Sequence, residues 1–346
     1  FKLCYDKKKT HYFEVNVMNP NYSFLQVKQV NGQVVSSIEQ ASLRDLNEGE
    51  VAVKVAYSDI NYKDALALKT NGGVIRQYPM TPGIDLAGTV LASKDSQWQV
   101  GQKVLQTGYS LGVSAPGGFS QIQIVKGDEL VTLPDNLDLK QAMQFGTAGF
   151  TAALAVLAIK EQVTDLNAPI VITGASGGVG SIAVGLLARL GFKNLIALSR
   201  KEAPWLLNLG ATTIENPNLW VPEKIKPLAK QKIAGVIDTV GGDLLSALIP
   251  QVQYAGALAL CGNAGGIKLQ TTVLPFILRG IKIIGIDSVN VQMPQRLQVW
   301  AFLSSHRQLL DKLPINEITL EQIPEVAQQL LAGQHEGRTI IRIGEA

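Results

Sequence analysis

The chain has 346 residues, of which 46% are hydrophobic and 17% charged, and its formal net charge is +3. This length suffices for two domains with large cores, and the composition and small net charge argue against a disordered chain or a protein whose main partner is nucleic acid. With only two cysteines, no secretory segment and no continuous apolar run of the roughly 18 residues that span a membrane, a cytoplasmic protein without a membrane partner is expected.

The first part of the chain divides into an extension and a β-rich region. Residues 1–17 are polar and basic and are interpreted as an N-terminal extension that activity does not need. Alternating apolar residues near its end leave open that it pairs as an edge strand. Residues 18–145 are punctuated by glycine and proline and predict short strands, among them an alternating, half-buried strand over 50–55.

A strand, a glycine turn and a helix follow this β-rich region. Residues 170–173 form a β-branched run typical of a buried parallel strand. Gly174, Gly177 and Gly180 come next at a spacing of three, which allows a tight turn and a close approach of a pyrophosphate to the backbone. The N–H groups that begin the helix predicted over 181–190 would hold the phosphates. The pattern predicts a nucleotide-binding site.

The next predicted strand, over 195–198, indicates which nucleotide binds. It is followed by Ser199, Arg200 and Lys201, where NAD enzymes usually carry Asp or Glu, about 20 residues beyond the glycines. A carboxylate there would repel a 2′-phosphate, whereas two cations and a hydroxyl would bind it. The segment therefore favours NADPH as cofactor, the alternative being a solvated, charged helix start.

Three later segments predict further strands of the same sheet, over 234–238, 257–261 and 281–285. Each follows a plausible crossover, so an α/β fold with a doubly wound parallel sheet is expected over 146–289. Residues 290–346 add two helical stretches and a closing strand over 338–343, and are expected to complete the β-rich domain.

Several stretches outside the glycine turn resemble the zinc-free quinone-oxidoreductase branch of the medium-chain dehydrogenase/reductase superfamily. They are Asn61-Tyr62-Lys63-Asp64, residues 79–90 and residues 146–152. Residues 275–280, 285–289 and 334–339 are similar to the bacterial acrylyl-CoA reductase (NADPH) family. The resemblance covers about residues 22–344 and implies a GroES-like catalytic domain joined to a Rossmann domain. It also implies a homodimer in which the segment around residues 281–284 pairs sheet edges between subunits.

The zinc enzymes of this superfamily differ from the chain at their metal ligands. They carry Cys where this chain has Asn61, and His-Glu where it has Ile84-Asp85. They also carry a four-cysteine lobe that has no counterpart here. The three histidines of the chain are scattered without the spacing of ligands, so no metal site is expected.

The resemblance also implies particular site residues. Tyr62 would lie beside the nicotinamide and could donate a hydrogen bond or relay a proton, its alternative role being that of a packing aromatic. Asn61 could donate a hydrogen bond to the substrate or the carboxamide, whereas Asp64 and Asp85 are expected to anchor loops. The implied cofactor contacts are Tyr62, Ser176, Gly177, Gly178, Val179, Ser199, Arg200, Lys201, Asn263, Ile277 and Ser288.

These residues together predict a metal-independent reductase. Hydride from NADPH would reach the β carbon of an activated alkene, as in the conversion of acryloyl-CoA to propionyl-CoA, while an enolate forms on the thioester oxygen. The partner is then a small molecule, an acyl-CoA. The alternatives are an NADPH-dependent quinone or enone reductase and a non-catalytic NADPH-binding sensor. Cys261 is interpreted as a buried core cysteine rather than a nucleophile.

Overall fold

The computed structural model describes residues 20–344, so the predicted N-terminal extension lies outside the described residues. The strands are β1 (Asn21–Val30), β2 (Gln33–Ser42), β3 (Glu50–Asp59), β4 (Asp85–Ser93), β5 (Lys103–Thr107), β6 (Ile122–Lys126), β7 (Val131–Thr132), β8 (Ile170–Ile172), β9 (Leu195–Leu198), β10 (Thr213–Glu215), β11 (Ile233–Asp238), β12 (Val252–Leu260), β13 (Lys282–Gly285), β14 (Ile315–Ile318) and β15 (Arg338–Arg342). The α-helices are α1 (Tyr62–Ala67), α2 (Leu139–Gln162), α3 (Gly178–Arg189), α4 (Trp205–Leu209), α5 (Gly242–Leu248), α6 (Leu274–Arg279), α7 (Met293–Ser305) and α8 (Ile323–Leu331).

A seven-stranded, mostly antiparallel sheet contains strands from both ends of the chain. Its order is β14-β15-β3-β4-β5-β7, with β6 paired to β3. The strand predicted over 50–55 is present as the start of β3, with Val51, Val53 and Val55 buried and Lys54 exposed, as the alternation predicts, although Ala52 is buried as well. Strand β3 pairs with β4, β6 and β15, and seven of its ten residues are buried.

The second large sheet is the predicted doubly wound parallel sheet, with the order β10-β9-β8-β11-β12-β13. Alternate residues of β8 pack into two different cores. Ile170 and Ile172 join the core that contains α2 and α3, whereas Val171 joins the core that contains α5. Helices therefore cover both faces, as a buried parallel sheet requires. This confirms the predicted fold class.

Helix α2 lies at the centre of the largest core, with Phe145, Phe150 and Ile159 fully buried. Within residues 20–344 it is the one helix long and apolar enough to cross a membrane, and 78% of its apolar window is buried inside the fold. The sequence has no continuous apolar run of that length, because polar residues interrupt the apolar ones of this helix. Its burial identifies it as a core helix. A kink at Gly146 divides it.

The short helix α1 was missed, because residues 18–145 predicted mainly strands and turns. It begins after Asn61, whose backbone N–H donates to the Asp64 carboxylate at 2.8 Å. A side chain that accepts this bond three residues later stabilises the first turn of a helix. The spacing of Asn61 and Asp64 was the local signal for α1. The helix carries Tyr62 on its first turn.

Candidate active site

The predicted glycine turn lies between β8 and α3 and brings the backbone very close to its neighbours. Gly174 has a φ of +58°, and a Cβ there would lie 2.4 Å from the Thr239 Oγ1. A Cβ on Gly180 would lie 2.4 Å from the Gly174 carbonyl oxygen. Helix α3 begins at Gly178, so its first N–H groups point out of this turn. The glycine turn and these N–H groups form the cradle that would receive a pyrophosphate.

Buried hydrogen bonds hold this turn against the end of β11, which pairs with β8 in the sheet. The Thr173 hydroxyl donates to the Asp238 carboxylate at 2.7 Å and accepts the Thr239 N–H at 2.9 Å. Asp238 also accepts the Gly241 N–H at 2.8 Å. Burial raises the pKa of Asp238, and the hydrogen bonds from Thr173, Gly241 and Val240 oppose that shift. The sequence analysis did not identify Asp238, because its role depends on the pairing of β8 with β11.

Four of the predicted cofactor residues follow four strands of the parallel sheet: Ser176 after β8, Ser199 after β9, Asn263 after β12 and Ser288 after β13. The structure therefore brings them to the carboxyl edge of the sheet, where nucleotides bind in such folds. The Ser199 hydroxyl donates to the Ser176 Oγ at 3.2 Å. Ser288 accepts a hydrogen bond from Thr151 of α2 at 2.9 Å.

Ile277 is not brought together with these residues. It lies on α6 and is 70% exposed. Arg279, in the last turn of the same helix, donates to the carbonyl oxygens of Pro250 and Val252, where β12 begins. This places the end of α6 near the amino edge of the sheet.

The two basic residues after β9 differ in their surroundings. Arg200 is exposed, whereas Lys201 is half-buried. The Lys201 ammonium donates to the His335 carbonyl oxygen at 2.5 Å and lies 3.9 Å from the Glu336 carboxylate. Burial lowers the pKa of Lys201, an effect that Glu336 opposes. Both cations stand at the end of β9, as a site for a 2′-phosphate requires.

Asn61 lies directly before α1, and both hydrogens of its side-chain amide are donated inside the protein. One goes to Asp59 at 2.6 Å and the other to Asp85 at 2.9 Å. The expectation that Asn61 donates to the substrate therefore does not fit this arrangement, because the amide nitrogen has no further hydrogen to give. Asn61 instead fixes the start of the helix that carries the half-buried Tyr62.

Beneath Asn61 lie three buried carboxylates, those of Asp59, Asp64 and Asp85, which we call the acidic cluster. The pKa of Asp59 is raised well above its usual range by burial and by the charge of Asp85, and Arg338 opposes that shift. Burial raises the pKa of Asp64 to about 7. Asp64 accepts the backbone N–H groups of Asn61 and Ile84 at 2.8 and 2.9 Å, in agreement with its expected role as a loop anchor.

Asp85 joins the acidic cluster to the kink of α2. It accepts the backbone N–H of Thr147 at 2.8 Å and the Thr147 hydroxyl at 2.6 Å. Gly146, immediately before, has a φ of +51°, and a Cβ there would lie 1.6 Å from the Asp59 Oδ2. The backbone of the kink therefore lies directly against the cluster.

Arg338, the first residue of β15, is the cation of the acidic cluster. Its guanidinium donates to Asp59 at 2.6 Å, and the two side chains are 2% and 0% exposed. It also donates to the Gln144 carbonyl oxygen at 3.0 Å and to the Asn61 Oδ1 at 3.3 Å. Its Nη1 lies 3.1 Å from where a Cβ of Gly178 would be, at the start of α3. Arg338 thus bonds to the residue before α1 and lies next to the start of α3.

The donor set in the described part of the chain does not form a metal site. Within residues 20–344 no group of three or more His, Cys, Asp and Glu side chains is arranged to hold a metal ion. The acidic cluster is satisfied by Arg338, Asn61 and Thr147. The Cys261 thiol donates to the Asp238 carbonyl oxygen at 3.4 Å, and burial raises its pKa to about 12, so it is not a thiolate at neutral pH.

A glycine turn at the carboxyl edge of a doubly wound sheet, beside a β-rich domain, is typical of nucleotide-dependent oxidoreductases. Residues 47–135 match the family model "Alcohol dehydrogenase GroES-like domain", and residues 178–305 match the model "Zinc-binding dehydrogenase". The chain belongs to the medium-chain dehydrogenase/reductase superfamily and, within it, to the family of acrylyl-CoA reductase AcuI and quinone oxidoreductase YhfP. It is an oxidoreductase, and the resemblance found in the sequence is confirmed.

Three relatives are informative. The chain is 43% identical to acrylyl-CoA reductase AcuI of Ruegeria pomeroyi over 90% of this chain and 96% of the relative. The structure of the yhdH oxidoreductase from Salmonella enterica in complex with NADP is 42% identical, has a TM-score of 0.87 and is matched over 93% of this chain and 100% of its own. The structure of Bacillus subtilis yhfP with NAD bound is 40% identical, has a TM-score of 0.88 and is matched over 93% and 99%.

Proposed function

We propose that the chain is an NADPH-dependent, metal-independent reductase that transfers hydride to the β carbon of an activated alkene, with acryloyl-CoA as substrate and propionyl-CoA as product. The observation that carries this proposal is the position of Arg338 between the start of α1, with Tyr62, and the start of α3, with the phosphate cradle. The relative from Ruegeria, which is named for acrylyl-CoA, supports the choice of substrate.

The proposed cofactor is NADPH rather than NADH. Ser199, Arg200 and Lys201 would bind the 2′-phosphate, since the end of β9 carries two cations and no carboxylate of its own. The complex of the Salmonella relative with NADP supports this assignment, while NAD is bound in the relative from Bacillus. The basic segment of this chain is our reason to prefer NADPH.

Bound NADPH would supply the hydride. The chain's own task is to hold the alkene in place and to stabilise the negative charge that moves onto the thioester oxygen when hydride adds to the β carbon. The Tyr62 hydroxyl is proposed to donate a hydrogen bond to that oxygen. A proton delivered to the α carbon completes the reaction, so that one hydride and one proton are added across the double bond. Asn61 and Arg338 would act as positioning residues that hold α1.

We propose that each of the two large sheets belongs to a separate domain. Residues 18–145 and 290–346 would form the GroES-like catalytic domain, and residues 146–289 the Rossmann domain. The return of β14 and β15 to the seven-stranded sheet supports these limits. A homodimer is proposed through β13, which is an edge strand. Two exposed apolar side chains on α6, the helix that directly precedes β13 in the chain, support pairing between copies: Ile277 and Leu278.

The first test is the oxidation of NADPH by the purified chain with acryloyl-CoA, with NADH and a simple quinone as controls. Fast turnover with acryloyl-CoA and NADPH, and slow turnover with NADH, is the expected result. Turnover with the quinone but not with the thioester would favour the second candidate, a quinone reductase, which the name of the YhfP relative suggests. Tight NADPH binding without turnover would favour the sensor.

Replacing Tyr62 with phenylalanine is expected to lower kcat for acryloyl-CoA about 10- to 100-fold, because one hydrogen bond to the developing enolate is lost. The KM for NADPH should change little, since the ring is kept. Tyr254→Phe is a suitable control, because Tyr254 is 74% exposed and lies outside the proposed site. An unchanged kcat would assign Tyr62 a packing role, and a weakened NADPH affinity alone would make it a cofactor contact.

A further inference from the structure

Residues 333–337, which we call the C-terminal loop, lie between α8 and β15 and against the proposed 2′-phosphate site. The Gly337 N–H donates to the Ser176 carbonyl oxygen at 2.9 Å. The Lys201 ammonium donates to the His335 carbonyl oxygen at 2.5 Å. A loop that belongs to the β-rich half of the chain therefore contacts two of the predicted cofactor residues, Ser176 and Lys201.

Glu336 is the charged residue of this loop that faces the site. One carboxylate oxygen lies 3.9 Å from the Lys201 ammonium, and the side chains of Lys201 and Glu336 are 24% and 34% exposed. The other oxygen accepts a hydrogen bond from the Trp205 Nε1 at 3.3 Å. Among the residues that the structure describes, Glu336 is the acidic partner within 4 Å of Lys201, and Arg200 has none.

We propose that Glu336 is a specificity-determining residue, an internal anion that engages Lys201 and that the 2′-phosphate of NADPH must displace. The proposal rests on the proposed function in one respect, namely that the segment after β9 receives that phosphate. A carboxylate and a phosphate compete for the same ammonium and repel each other when both lie beside it. Glu336 thus weakens the binding of NADPH and leaves the binding of NADH, which lacks the phosphate, unaffected.

The surroundings of Glu336 indicate that the 2′-phosphate would displace the Glu336 side chain and leave the backbone of the C-terminal loop in place. The loop is held by the Gly337 bond to Ser176 and by the His335 Nε2, which lies 2.7 Å from the Thr339 hydroxyl. Burial, Arg338 and Lys201 lower the pKa of His335 to about 4, so His335 is neutral at pH 7 and supplies no cation of its own. The hydrogen bond from Lys201 to the loop carbonyl can persist while the carboxylate turns towards solvent.

The test uses Glu336→Gln, which removes the charge and keeps an oxygen that can accept the Trp205 N–H. The dissociation constants of 2′,5′-ADP and 5′-AMP, measured by calorimetry, separate the contribution of the 2′-phosphate from that of the rest of the nucleotide. We expect Glu336→Gln to bind 2′,5′-ADP about three- to tenfold more tightly and 5′-AMP unchanged. The gain should shrink at high ionic strength, because the competing charges are partly exposed.

Glu325→Gln is the matched control, since Glu325 is exposed on α8 and its removal changes the net charge equally. It should leave both dissociation constants unchanged. Unchanged or weaker binding of 2′,5′-ADP by Glu336→Gln, or an equal gain for both nucleotides, would overturn the proposal. A different result would show that the proposed NADPH site itself is wrong. In that case the unmodified protein would bind 2′,5′-ADP no better than 5′-AMP.

Discussion

Replacing Arg338 with methionine is expected to lower the free energy of unfolding by about 3–5 kcal/mol, as is typical when one partner of a buried ion pair is removed. The Asp59 carboxylate, 2.6 Å from the guanidinium and 0% exposed, would lose its cation. The acidic cluster would then hold three buried carboxyl groups without a compensating charge. Unfolding in guanidinium chloride, followed by circular dichroism, measures the loss. Methionine fills a similar volume, so the packing of β15 is largely kept.

Two further variants separate the buried charge from a general effect of losing an arginine. Arg342→Met, on the same strand, breaks an ion pair with Glu317 at 3.6 Å whose arginine is 63% exposed, so a loss below about 1 kcal/mol is expected. In the double variant Arg338→Met with Asp59→Asn, the uncompensated carboxylate is gone, and part of the lost stability should return. Equal losses for Arg338→Met and Arg342→Met would contradict a structural role for the buried pair.

The acidic cluster also shows what the sequence could not predict. Asp59, Asp64 and Asp85 are distant from Arg338 along the chain, and the Asp59–Arg338 pair spans 279 positions. No spacing rule relates these residues, because the folding of β15 against β3 brings them together. Without the cluster, Asn61 looked free to donate to a substrate, whereas the structure shows that its donors are already used.

The parts of the fold that were predicted correctly depend on local patterns. The strand β8, the glycine turn and α3 lie within about 20 residues, and each carries its own signal in hydrophobic period or glycine spacing. Short elements such as β10 and α1 were missed, because three to six residues give too little periodicity to distinguish a strand or helix from a loop.

The candidate site shows the same division between local and distant signals. Ser199, Arg200 and Lys201 could be identified because they directly follow a predicted strand. Glu336 could not, since it reaches Lys201 from a loop that is more than 130 residues away in sequence, as the Trp205–Glu336 contact with a separation of 131 illustrates. Residues that modulate a site from a second domain give no signal near the motif that they modulate.

Replacing Gly146 with alanine is expected to destabilise the protein by more than ~3 kcal/mol, a large share of the roughly 5–15 kcal/mol by which folded domains are stable. Its φ of +51° and ψ of −155° are suited to glycine and strained for other residues. A Cβ would also lie 1.6 Å from the Asp59 Oδ2 and 2.9 Å from the Asp85 Oδ2, both of which are held by hydrogen bonds. Thermal unfolding of purified protein, or the soluble fraction where none can be purified, measures the effect.

Gly280→Ala is the informative comparison, because Gly280 has a φ of +59° with nothing within 4 Å of its added Cβ. A positive φ without a steric clash costs about 1–2 kcal/mol. A much larger loss of stability in Gly146→Ala would therefore report the additional cost of its ψ angle and of the clash between the added Cβ and the acidic cluster. If the added methyl group acts by displacing Asp59 from Arg338, Gly146→Ala and Arg338→Met break the same ion pair. Their combined effect should then be smaller than the sum of the two losses, whereas full additivity would mean that the kink and the ion pair stabilise the site independently.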